Sequence, residues 1–124
     1  MNNIPIILLA AGSSKRMGQP KQLLKWNNTT LIENRIETLL KVSNNIYVVL
    51  GCHEQLIKPI VEKYDVNIVS NQKWTEGMGS SISAGIGKLL IDAPYSKGIL
   101  ITTVDQPFID TKVKGFTGFK SFKQ

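Results

Sequence analysis

Four short apolar runs, at residues 4–10, 46–50, 66–69 and 98–104, constrain the fold more than any other feature of the chain. None of them alternates polar with apolar side chains. A strand with one face in water alternates, whereas a strand covered on both faces reads as a continuous run, the habit of parallel sheets. The segments between the runs carry helical period. Leu31, Ile32, Ile36, Leu39 and Leu40 form one stripe. Thr30 precedes it and Glu33 follows three residues later, so each side chain can satisfy a free backbone N–H at the helix start. Residues 53–63 predict a weaker helix, with a kink or late start imposed by Pro59, which has no N–H to give. Ile82, Ile86, Leu89 and Leu90 predict a third helix, capped by a serine of the preceding segment 77–81. Strands alternating with helices predict an α/β fold: an open, mainly parallel sheet with helices on both faces. Ligands of such sheets bind beyond the carboxyl ends of the strands, where the strand order reverses.

Composition narrows the function. Cys52 is the sole cysteine, which excludes a disulfide-stapled class, and with one histidine, His53, a structural zinc is not expected. Both residues are expected at a helix start without a chemical role. No apolar run reaches the roughly 20 residues that span a bilayer. The first run lacks a basic leader and reads as a buried strand, so the cytoplasm is the expected location and no membrane partner is expected. The net charge of +6 could suit a nucleic acid. Basic and acidic residues are interleaved through most of the chain, however, and no nucleic-acid-binding motif is present, so none is expected as partner. Half of the surplus lies in residues 110–124, where Lys112, Lys114, Lys120 and Lys123 face only Asp110. That tail also holds three of the four phenylalanines. The sequence therefore divides into an α/β body, residues 1–109, and an atypical basic tail, residues 110–124.

Three segments carry chemistry. The first is Leu9-Ala10-Ala11-Gly12-Ser13-Ser14-Lys15-Arg16-Met17-Gly18-Gln19-Pro20-Lys21. Small residues let backbone N–H groups close on an anion, Arg16 can fork onto phosphate oxygens, and Lys15 or Lys21 adds point charge. It is neither a Walker loop nor a dinucleotide fingerprint, because the glycine spacing fits neither. On composition alone a solvated basic loop is the alternative. The second is Asp105, at the end of the fourth run. A carboxylate there can hold Mg²⁺, which takes one or two protein carboxylates and completes its shell with phosphates and water; the alternative is a turn aspartate before Pro107. The third is the segment 71–81, in which Gly77 and Gly79 precede a helix. It permits close approach of a ligand to backbone, or it is a tight turn.

Together these segments resemble a known family. The first resembles the Leu-Ala-Ala-Gly-x-Ser-x-Arg-Met-Gly-x-Pro-Lys signature of nucleotidyltransferases. Asp105-Gln106-Pro107 and the Trp74 to Ile82 stretch resemble two motifs of the MobA-like NTP transferases, and among them the molybdenum cofactor cytidylyltransferases. The resemblance covers residues 4–109 and implies a Rossmann-like nucleotidyltransferase sheet, here incomplete at its C-terminal end. It implies transfer of CMP from CTP, or of a nucleotide from another NTP, to a molybdopterin-type cofactor, with Mg²⁺ and release of pyrophosphate. A molybdoenzyme would receive the product. Arg16, Lys21 and Asp105 would be catalytic, with Asp105 on the metal. Leu9, Ala10, Ala11, Gly12, Ser13, Arg16, Lys21, Asn71 and Gly77 would bind the nucleotide. Met78, Gly79, Ser80 and Ser81 would lie on the acceptor side. Ala10-Ala11-Gly12 resembles the cytidylyl form, where guanylyl relatives tend to carry Ala-Gly-Gly. Family members continue past Asp-Gln-Pro, so two alternatives accompany this reading: a catalytically incomplete nucleotide-binding remnant, and a nucleotidyltransferase for another phosphorylated acceptor.

Overall fold

A computed structural model describes residues 4–12, 15–16, 19–26, 29–92, 98–104 and 120–123. The apolar runs become strands β1 (Ile6–Ala10), β2 (Ile46–Leu50), β3 (Asn67–Ser70) and β4 (Gly98–Thr103), and a further strand, β5, spans Lys120–Lys123. They form one sheet in the order β3-β2-β1-β4-β5. The first four are mutually parallel, with Ile6 paired to Ile46 on one side and to Leu100 on the other. β5 runs antiparallel to β4. β1 and β4 are shorter than their runs, β2 matches its run, and β3 is shifted by one residue. Ile4 is exposed and lies outside β1, Val66 precedes β3, and Val104 sits in the turn after β4.

The helices are α1 (Leu31–Leu40), α2 (Glu54–Val61) and α3 (Met78–Asp92). Crossovers through α1 and α2 carry the chain outward from β1 to β3, and the crossover through α3 returns it to the far side of β1. Helices consequently cover opposite faces. Ile6, Leu8 and Ala10 of β1, with Ile46, Val48 and Leu50 of β2, pack on Ile32, Ile36, Leu39, Ile57 and Val61 of α1 and α2. The intervening residues Ile7, Leu9, Tyr47 and Val49 pack on Leu89, Ile82 and Ile86 of α3. Every residue of β1 and β2 is buried, which is why neither alternates. Each buried Ile, Leu or Val side chain among them contributes about 1.5–3 kcal/mol by leaving water.

The expected cap of α1 is present. Glu33 N–H donates to Thr30 Oγ1 at 3.3 Å and Thr30 N–H donates to Glu33 Oε1 at 3.0 Å. Glu33 also pairs with Lys63, just past α2, at 2.9 Å. α2 begins at Glu54 and carries Pro59 in its last turn, so the late start is not observed. α3 begins at Met78, four residues before Ile82, which places Ser80 and Ser81 inside the first turn and not at the cap. Its buried line is Ser81, Gly85 and Leu89, flanked by Ile82 and Ile86. Leu90 is 38% exposed, because one residue beyond Leu89 turns about 100° away from the sheet.

Two outcomes follow from this packing. A Cβ on Gly85 would stand 2.9 Å from Ile7 Cγ2 and 3.1 Å from Val49 Cγ2, both stiff β-branched groups. Gly85→Ala gains about 1 kcal/mol of helix propensity and loses about 1–3 kcal/mol to overpacking. The expected result in urea denaturation is a net loss near 1 kcal/mol. Glu33 is the second case. Its hydrogen bond from Lys63, then that from Thr30 N–H, hold its carboxyl below the ordinary 4.5. A carboxyl whose pKa is lower folded than unfolded stabilises the fold above the unfolded value and loses that contribution as pH falls through the folded one. Stability is therefore expected to decline from about pH 4.5 downward, and Glu33→Gln should flatten that decline in acid-titrated melting curves.

Candidate functional site

Because the strand order reverses at β1, the chain leaves β1 and β4 side by side. Val104 N–H donates to Leu9 O at 3.3 Å, so the segments that start after Ala10 and after Val104 begin together at the carboxyl edge. Two buried polar side chains fix these strand ends. Gln22, in the 3-10 turn Lys21–Leu23, donates from Nε2 to Ala10 O at 2.9 Å and to Gly12 O at 3.4 Å. Arg35 of α1, 2% exposed, donates from Nε to Val104 O at 3.1 Å and from its guanidinium to Asn34 Oδ1 at 2.8 Å.

The neighbouring strand ends close in the same way. Cys52 N–H donates to Ala11 O at 3.1 Å and Asn71 N–H to Leu50 O at 2.7 Å. Gly51 is squeezed between Ala11 and Trp74: a Cβ there would lie 2.7 Å from Trp74 Cβ and 2.8 Å from Ala11 Cβ. Beside this contact opens a cleft of about 530 Å³, lined by residues 51–56 of the β2–α2 connection and by Asn71, Gln72 and Trp74. Glu54 on its wall accepts from Ser70 Oγ at 2.7 Å. His53 stands at the start of α2 without a side-chain cap bond, as far as the described residues show.

Asn71 organises the segment that follows β3. Its Nδ2 donates to Ser80 Oγ and Ser81 Oγ, each at 2.9 Å, and its Oδ1 accepts from Lys73 N–H at 3.0 Å. Ser80 Oγ lies 2.7 Å from Gly77 O and 2.8 Å from Lys73 O. Gly77 has φ +102°, a backbone state that suits glycine, and it turns the chain into α3. Met78 is exposed, and among the described residues nothing stands within 4 Å of where a Cβ would be on Gly12 or Gly79.

The structure thus brings Leu9, Ala10, Ala11, Gly12 and Asn71 to one edge. The side chains of Leu9, Ala10 and Ala11 are committed to the two cores, so these residues can offer a ligand only backbone. Ser81 is buried under Asn71, whereas Gly77, Met78 and Gly79 reach the surface. Arg16 is placed by its backbone in a two-residue ladder with Gln19, and Lys21 opens the 3-10 turn. Their side chains, and all of Ser13 and Asp105, lie outside the described residues. Sequence reasoning missed Gln22, Gly51 and Arg35. Arg35 had a signal: it stands between Leu31 and Leu39 at i−4 and i+4, a cation on an apolar line.

Comparison with known proteins gives this edge its context. The model of the MobA-like NTP transferase domain matches residues 6–114. The chain belongs to the MobA-like NTP transferase family. A nicotine blue oxidoreductase from Paenarthrobacter nicotinovorans is 38% identical over 112 residues, which is 88% of this chain and 52% of that protein. The molybdenum cofactor cytidylyltransferase of Escherichia coli is 30% identical over 87 residues, covering 69% of this chain and 45% of that one. A nucleotidyl transferase structure from Methanothermobacter superposes with a TM-score of 0.73 at 26% identity, covering 89% of this chain and 54% of its own. The chain spans about half the length of these relatives. Among the described residues no helix is long and apolar enough to cross a membrane, and no cluster of three or more His, Cys, Asp or Glu could hold a metal.

Removing the Asn71 carboxamide would leave the buried Ser81 hydroxyl short of its donor. Asn71→Ala is expected to cost about 1–3 kcal/mol in chemical denaturation, with no comparable loss for Gln72→Ala, an exposed neighbour on the same cleft.

Proposed function

We propose that this chain carries the nucleotide-handling part of a Mg²⁺-dependent nucleotidyltransferase that moves CMP from CTP to the phosphate of a molybdopterin-type cofactor. The observation that carries the reading is the junction at the β1 and β4 ends, where the Ala-Ala-Gly loop and the segment leading to Asp105 start side by side. An oxygen of the acceptor phosphate attacks the α-phosphorus of CTP. The bond from that phosphorus to the bridging oxygen breaks, and pyrophosphate leaves with the electron pair. No strong base is needed, since the attacking oxygen is already ionised; positioning and charge neutralisation do most of the work.

In this reading the backbone of residues 10–12, with Ser13, faces the triphosphate, and Arg16 and Lys21 neutralise its charge and that of the departing pyrophosphate. Asn71, Gly77 and the cleft beside Trp74 take the nucleoside. Met78, Gly79, Ser80 and Ser81 border the acceptor, Ser80 and Ser81 through their hold on Asn71. Asp105, one residue past Val104, would hold Mg²⁺ with phosphate oxygens completing its shell. Bound there, the ion supplies charge neutralisation and alignment for in-line transfer. CTP is favoured over GTP by Ala10-Ala11-Gly12 and by the similarity to the cytidylyltransferase of Escherichia coli. A molybdoenzyme would take the product.

A second reading is favoured by the 38% identity to nicotine blue oxidoreductase: an oxidoreduction with nicotine blue as substrate at the same edge. One set of assays separates the two. Purified protein is given CTP or GTP, Mg²⁺ and the pterin cofactor, and pyrophosphate is measured; in parallel it is given a reduced nicotinamide dinucleotide and nicotine blue, and absorbance is followed. Pyrophosphate release that stops with a chelator and falls about a hundredfold or more in Asp105→Ala is expected, a loss typical of removing a group that stabilises developing charge. Nucleotide binding without turnover would leave a binding remnant. Dinucleotide oxidation alone would replace the transferase reading.

A further inference from the structure

We infer that Gln22 is a positioning residue for phosphate binding: it holds the Ala10 and Gly12 carbonyls turned away from the triphosphate. The inference rests on the nucleotidyltransferase reading of the β1 loop. Gln22 is 95% buried, its exposure being 5%, and it reaches back over ten and twelve residues to bond both carbonyls. A carboxamide nitrogen carries two N–H groups, and two acceptors are present. The Oε1 atom has no partner among the described residues. The side chain is therefore held by its donor end. A flip would set Oε1 against two carbonyl oxygens, so one orientation is enforced.

The consequence is electrostatic. A carbonyl oxygen facing a triphosphate repels it, while the N–H of a trans peptide points opposite to its carbonyl. Drawing the Ala10 oxygen toward Gln22 turns the N–H side of that peptide, which belongs to Ala11, the other way, an arrangement from which anion nests are built. The turn that carries Gln22 is itself anchored. Leu23 packs on the core beneath α1, and Leu31 N–H donates to Leu24 O at 2.7 Å.

The test uses Gln22→Met, which keeps the length of the side chain and removes both donors. Affinities for CTP and for pyrophosphate, each with Mg²⁺, are measured by calorimetry, and the weak affinity for cytidine by NMR titration. The expected result is about a tenfold loss for both phosphate ligands, the effect of one or two lost hydrogen bonds, with cytidine unchanged. Unchanged phosphate affinity overturns the inference, and so does an equal loss for cytidine, which marks general damage to the edge. If circular dichroism shows that the methionine variant does not fold, Gln22→Asn, too short to reach both carbonyls, is put through the same comparison. Wild-type protein that binds neither CTP nor pyrophosphate overturns the transferase reading and the role of Gln22 together; wild-type binding with an indifferent variant overturns the role of Gln22 alone.

Discussion

Burial of β1 on both faces and both edges is the constraint on which the remaining structure depends. Its side chains divide between two cores, with Ile6, Leu8 and Ala10 toward α1 and α2 and Ile7 and Leu9 toward α3. Its backbone is paired on both sides, to β2 and to β4. A strand so enclosed admits neither a polar side chain nor a register slip, since a slip of one residue would exchange the sets offered to the two cores. Its carboxyl end is thereby a fixed point. Gln22, Cys52 and Val104, which bond to the main chain at or near that end, inherit that fixity.

The sheet is assembled from small tolerances. α3 lies against β1 and β2 because Gly85 offers no Cβ where Ile7 and Val49 need room, and the β2 end meets the β1 end because Gly51 offers none between Ala11 and Trp74. The helices on the opposite face are linked at their outer rim by polar pairs, Glu33 with Lys63 and Tyr64 with Glu37. Desolvation first, and then the Glu37 carboxylate, push the Tyr64 hydroxyl well above its usual range, so it remains a donor at any physiological pH.

Much of this was legible in the residues. The four apolar runs gave the parallel strands, because double-sided burial removes alternation, and Thr30 with Glu33 marked the start of α1 because both partners of the cap are coded locally. What could not be read depends on groups distant in sequence. The ends of β1 and β4 are set by pairing, so Ile4 and Val104 fell outside the strands they resemble. The serine cap of α3 gave way to a start at Met78, since Asn71 engages Ser80 and Ser81 from another segment. Of the site, the backbone of residues 9–12 and Asn71 lie at the same carboxyl edge. Gln22 was hidden because its partners, Ala10 and Gly12, are met only after the loop folds back. Arg35 was legible only as an anomaly in an otherwise apolar line.

The pairing of Ile6 with Leu100 sets an order of events. β1, α1, β2, α2 and β3 are contiguous along the chain and can associate as it emerges from the ribosome. The β1–β4 junction cannot exist until the last of the parallel strands has been synthesised, because closing so long a loop comes late. A phosphate-bearing ligand that requires this junction would bind a chain with β4 in place and none of its precursors. By mass action it would then draw β4 into place, which makes occupancy of the edge a reporter of β4 docking.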